Sequence, residues 1–176
     1  MLKALRPLAA FIEGLIDRTG ALTAWIALVM IGLVATNVLL RYAFSFGSVW
    51  AQELEWHLLA ALILLGMGHA LQRGENVRVD LFYARFSPGL KRAVDVAAAL
   101  LLIAVSLAFI KLSIAYVGQA YAINEQSPDP GGLPYRWAIK ALIPLGYGLL
   151  VLQQLAQLVR LLGAGRNASG EGDARV

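Results

Sequence analysis

The run ALTAWIALVMIGLVATNVLL, Ala21 to Leu40, contains no charged residue. Its length matches the ~20 residues a helix needs to cross ~30 Å of hydrocarbon. Inside lipid every backbone N–H and C=O must be satisfied without water, and a helix does this within one segment. Three further apolar stretches follow, at about Leu54–Leu71, Ala93–Ile110 (continuing toward Val117) and Ala138–Leu158. All are long and lack the period-two alternation of barrel strands. The composition agrees: 59% of residues are hydrophobic and the mean hydropathy is +0.67, above the roughly 45–50% apolar share of soluble domains. The expected fold class is an all-α membrane protein with four transmembrane helices, at about 21–42, 52–72, 91–119 and 137–160. They form a single domain, 1–162. The Gly-rich polar remainder, 163–176, reads as a disordered tail. The first apolar run is too long for the core of a cleaved signal peptide, and no A-x-A site follows it.

Basic residues set the expected orientation. Lys3, Arg6 and Arg18 precede the first span; Arg73, Arg78, Arg85, Lys91 and Arg92 lie between the second and third; Arg160, Arg166 and Arg175 follow the fourth. The other two connections are poor in Lys and Arg. The positive-inside rule then puts both termini and the middle loop in the cytoplasm. The net charge of +4 and pI near 9.6 are read as membrane anchoring, not nucleic-acid binding. Residues 2–17 place Leu5, Leu8, Ala9, Ile12, Leu15 and Ile16 at helical spacing, which predicts an amphipathic helix lying along the inner interface. A plain extension of the first span is the alternative. The third connection, NEQSPDPGGLPYRW, breaks helix with Pro128, Pro130 and Pro134 and permits a turn at Gly131-Gly132. Tyr135 and Trp137 then fall at an interfacial aromatic belt.

The charges near the spans need partners. Glu53 and Glu55 fall in the first turns of the second helix, where carboxylates complement the helix dipole. Two residues apart, they point about 200° away from each other. Trp50, Glu53 and His57 share a face. Arg41, just past the first span, is the expected cation for Glu53 or Glu55, tying spans one and two together. Asp95 lies near the cytoplasmic end of span three, within reach of Arg92. Lys111 is placed near the outer end, where its stem snorkels. On this reading no ionisable group sits at mid-depth, where such groups mark ion pathways. Gly66 with Ala70, and Ala104 with Ala108, are small pairs suited to close helix contact. Gln153, Gln157 and Arg160 line one face of span four, toward another helix or subunit, or toward water.

His57 and His69 are about 18 Å apart along one helix and cannot clamp one haem. There is no cysteine, no phosphate-cradling Gly loop, no nucleophile with a base, and no metal-ligand cluster. The inventory therefore carries no catalysis and calls for no cofactor. A self-sufficient small four-helix transporter and a cytochrome-type membrane anchor are two functions this inventory leaves open.

The segments NVLLRYAFSFGSVWAQELEWH, LLGMGHALQRGENVRVDLFYARFSP and EQSPDPGGLPYRWAIKALIPLGYGLLVLQ resemble the small membrane subunit of tripartite ATP-independent periplasmic (TRAP) transporters, the DctQ-like family. The resemblance runs from about residue 20 to residue 160. The family pattern falls on Asn37, Arg41, Tyr42, Trp50 and Glu53, and again on Gly74, Val77, Arg78, Val79 and Asp80. Where many members carry Glu-Glu, this chain has Gln52-Glu53, with Glu55 two residues on. SPDPGGLPYRW, with Arg136 and Trp137, looks most like the branch labelled mannitol/chloroaromatic compound transporters. The resemblance implies a multi-pass protein of the bacterial inner membrane, held among its lipids. Its implied partners are a large DctM-like membrane subunit that carries substrate and sodium sites and moves as an elevator, and a periplasmic substrate-binding protein that delivers an organic acid. The small subunit would enlarge the fixed scaffold and help dock the binding protein. Arg41, Trp50, Glu53, Glu55, Arg78, Asp80, Arg136, Trp137, Gln153 and Gln157 are the expected structural and partner-interface residues.

Overall fold

A computed structural model describes the backbone of residues 2–74 and 83–170 and the side chains of residues 5–74 and 83–163. The elements are α1 (Leu2–Phe44), α2 (Val49–Arg73), α3 (Pro88–Ala122) and α4 (Arg136–Gly170). All four are long and apolar enough to cross a membrane, and no strand occurs among the described residues. Arg78 and Asp80 lie outside the described residues.

Local chemistry sets several of the ends. Ser48 caps α2 with extended backbone, and its hydroxyl accepts from the Ala51 N–H at 3.3 Å. Gly74, at φ 71°, takes the left-handed conformation that ends α2, and its N–H donates to the Ala70 and Leu71 carbonyls. At that φ a side chain would be strained. Ser87 caps α3, with Pro88 in the first turn, where its missing N–H costs nothing. The fourth helix continues past its expected end near 160, to Gly170.

The largest departure is α1. The expected flat interfacial helix and first span are one unbroken helix of 43 residues. The stripe meant for a lipid surface packs inside the protein instead. Ala9, Ile12 and Ile16 form the core with Leu65 of α2 and Leu149 and Ala156 of α4. Ile16 has no exposed surface at all. The other side of the same segment, Leu8 and Phe11, stays exposed.

Helices α1, α2 and α4 pack pairwise as a triangle, whereas α3 lies along α4 and makes little contact with the other two. Its buried face is a heptad of small residues, Ala99, Ser106, Ser113 and Ala120, the spacing that keeps one seam turned to a neighbour. Phe109 stacks on Tyr147 of α4 at 4.7 Å. The pair Ala104 and Ala108, expected to make helix contact, is exposed, because α4 covers the opposite side of α3. Gly66 does face a neighbour, Thr23 of α1. Large apolar side chains ring the outside, Trp25, Leu39, Leu101 and Leu112 among them. In water such a surface would be an aggregation site; in a bilayer it is the solvated one.

Where lipid solvates apolar side chains as well as protein does, helices associate through close fit of small residues. Gly146 shows this: a Cβ there would lie 2.5 Å from the Leu64 carbonyl oxygen. Gly146→Val should therefore destabilise the bundle by about 1–3 kcal/mol, the range for overpacking, read as a lower unfolding midpoint in detergent. Gly148→Ala, where nothing lies within 4 Å, should be neutral or gain up to ~1 kcal/mol from helix propensity.

Candidate functional site

Glu53 sits in the second turn of α2 and is only 4% exposed. A carboxylate buried so deeply must have its oxygens occupied. They are occupied by the loop between α3 and α4. The Ser127 hydroxyl donates to Oε1, the Leu133 backbone N–H donates to Oε2 at 2.5 Å, and Arg136 Nη2 lies 3.4 Å from Oε1. One side chain thus holds the whole loop against the end of α2.

The loop is shaped for this grip. The Ser127 N–H bonds the Leu133 carbonyl at 3.2 Å, and the Gly132 N–H bonds that of Asp129 at 3.0 Å. The Asp129 N–H donates to Ser127 Oγ at 3.1 Å. A Cβ on Gly132 would lie 2.8 Å from Glu53 Oε2 and collide with Ser127, so only glycine fits. The prolines withhold donors and fix φ, which leaves few conformations for the segment. Arg136 also lies over the Trp56 ring at 5.3 Å. Behind it, Lys140 pairs with Glu125 and sits 4.0 Å over the Tyr116 ring. Trp137 meets Tyr121 edge-on at 5.4 Å.

The neighbouring carboxylate points elsewhere, as the helix rotation requires. Glu55 Oε1 accepts from Nδ2 of Asn37, a buried residue of α1, at 2.9 Å. Spans one and two are tied where α1 ends and α2 begins, but not by Arg41. Arg41 is exposed and makes no ion pair among the described residues. Asn37, one turn earlier on the inward face, takes the bond, and Glu53 is claimed by Arg136 from the far end of the chain. The His57 ring Nδ1 is 2.7 Å from the Glu53 carbonyl oxygen. Trp50 is half exposed.

Gln153 and Gln157 lie at the other end of the bundle. They line a cleft of about 410 Å³ together with Glu13, Asp17, Arg73 and Arg160. Arg160 pairs with Glu13, and Arg73 with Asp17 at 3.2 Å. Asp95 accepts from the Tyr83 hydroxyl at 2.8 Å, while Arg92 bonds the Leu162 carbonyl at 3.3 Å; these two do not pair with each other.

Lys111 also sits elsewhere than its sequence suggests. The Phe109–Tyr147 stack and the Lys140–Tyr116 contact fix the register of α3 on α4. Lys111 then lies level with Leu145, beside Gly146, which abuts Leu64. Leu64 is about 22 Å from the start of α2 and about 14 Å from its end at 1.5 Å per residue. Lys111 is therefore level with the middle third of α2, well away from its Glu53 end, and it is exposed on the outside of the bundle.

A family model described as "Tripartite ATP-independent periplasmic transporters, DctQ component" matches residues 30–164, which include both carboxylates, the loop and Lys111. No curated protein matches the chain.

Glu53→Leu should release the loop, since it strands the Ser127 hydroxyl, the Leu133 N–H and Arg136 at once. Hydrogen exchange at the Leu133 amide should rise by about tenfold or more, as expected for a segment that opens locally. Glu55→Leu should leave that amide protected.

Proposed function

The chain belongs to the DctQ family, the small membrane component of tripartite ATP-independent periplasmic transporters, and from this we propose that it braces a large membrane subunit through which the solute passes. The observation that carries the reading is how its charges are used. Glu53 with Arg136, Glu125 with Lys140, Asp17 with Arg73 and Glu13 with Arg160 are locked to one another near the two ends of the helices. A carrier needs ionisable groups free to bind and release at mid-depth, facing a cavity. Among the described residues the one cation at mid-depth, Lys111, faces outward.

In this reading the large, DctM-like subunit carries the substrate and sodium sites and moves vertically, while a periplasmic binding protein delivers an organic acid. The SPDPGGLPYRW loop favours the mannitol/chloroaromatic branch. Both termini face the cytoplasm of a bacterium, and the clamped loop faces the periplasm, where a rigid platform for the binding protein is useful. A sliding domain needs a stator that does not tilt. Four long helices held at both water boundaries by Trp, Tyr, Arg and Lys resist tilt and drift. Arg41, Trp50 and Trp137 serve as anchors at the outer boundary.

Proteoliposomes test this directly. This chain with the large subunit and binding protein should take up solute under a sodium gradient, whereas the chain alone should take up none. Gradient-driven uptake by the chain alone would make it a transporter in its own right.

A further inference from the structure

The position of Lys111 says which surface the large subunit covers. An ammonium group on the lipid-facing side of a helix near mid-depth is costly, and such groups are found paired or turned to a protein or water-filled interior. Among the described residues Lys111 has neither. It makes no hydrogen bond or ion pair with any of them, and α3 touches little besides α4. The residues around it are fitted for a close neighbour. Ala104, Ala108 and Ala115 share its helix face at i−7, i−3 and i+4, and all are exposed. A Cβ on Gly118, farther along this side, would meet nothing within 4 Å. The opposite face, Ala99, Ser106, Ser113 and Ala120, is already filled by α4.

We infer that the Lys111 face of α3 is a seam for a helix of the large membrane subunit, one that presents a carboxylate at matching depth. A second copy of this chain does not fit. Its described carboxylates are near the ends of the bundle: Glu13, Asp17 and Asp95 at one, Glu53, Glu55, Glu125 and Asp129 at the other. A twofold axis along the membrane normal preserves depth, so none of these described carboxylates of a twin would meet Lys111. The arrangement favours a carboxylate from a different chain. Small alanines let that helix come close enough for a buried ion pair to form with little lipid between.

The inference rests on the chain being a subunit of the transporter, and the test separates the two ideas. The chain has no cysteine, so single cysteines report cleanly. Ala108→Cys and Ala115→Cys should form disulfides with mid-membrane single-cysteine positions of the large subunit in the assembled complex. Leu28→Cys, at similar depth on α1 and 58% exposed, should not. Lys111→Glu should lower recovery of the complex by about thirtyfold or more, the low end for removing one partner of a buried charge pair. Lys111→Arg should retain the complex, and a lysine in place of the partner's carboxylate should rescue Lys111→Glu. Full recovery with both Lys111→Glu and Lys111→Leu, or cross-links from Leu28→Cys and none from α3, would overturn the seam while leaving the subunit role intact. Failure of the unaltered chain to co-purify with the large subunit would remove both.

Discussion

Lipid solvates a leucine but not a charge, and that asymmetry organises this molecule. Burying apolar surface earns nothing extra in hydrocarbon, so the bundle is free to display Trp25, Leu39 and Leu112 outward. An ionised group has no such freedom. It must reach water, or it must meet a counter-charge or a donor inside the protein. Glu53 meets three donors at once, and the result is a loop fixed to a helix end. Arg160 and Arg73 meet Glu13 and Asp17, and the result is a pinned opposite end.

With the ends pinned, the middle is held by fit. Gly146 against the Leu64 carbonyl and Gly68 near the Leu149 carbonyl draw α2 and α4 together. Gly20 leaves room for the His69 ring between α1 and α2. The small heptad of α3 does the same work against α4. Each device brings backbones close, where dispersion contacts are dense. The outcome is uneven. Three helices form a triangle and the fourth rides outside it, so α3 offers more free side than any helix inside a closed bundle.

How much of this was legible depends on the range over which the physics acts. Four spans were legible because backbone satisfaction in lipid acts within a single helix. The loop was legible as a break because proline acts on its own φ. The continuity of α1 was not. Ala9, Ile12 and Ile16 make the same stripe whether it meets lipid or Leu149, and periodicity alone cannot name the surface. Nor was the partner of Glu53. Arg41 is near in sequence, yet Ser127, Leu133 and Arg136 are near in space, and only the fold brings them there. The level of Lys111 was not legible because α3 is 35 residues long. In a helix that long, the lipid boundary is set by its register against neighbours, not by where the apolar run stops.

Length has a further consequence. At 1.5 Å per residue, α1 is about 64 Å long and α3 about 52 Å, against roughly 30 Å of hydrocarbon. Only α2 is close to the bilayer in length. Its two ends carry the two charge clusters, Glu53 at one and Arg73 at the other, so α2 acts as the gauge that sets the others in depth. In the proposed role of a brace the chain must resist displacement along the membrane normal, and charges fixed at both boundaries of one helix oppose sliding in either direction, since moving up or down drags one cluster into hydrocarbon. The longer helices then project past the bilayer from a part that is already held. A subunit built this way can lend stiffness to a neighbour without taking part in the neighbour's chemistry.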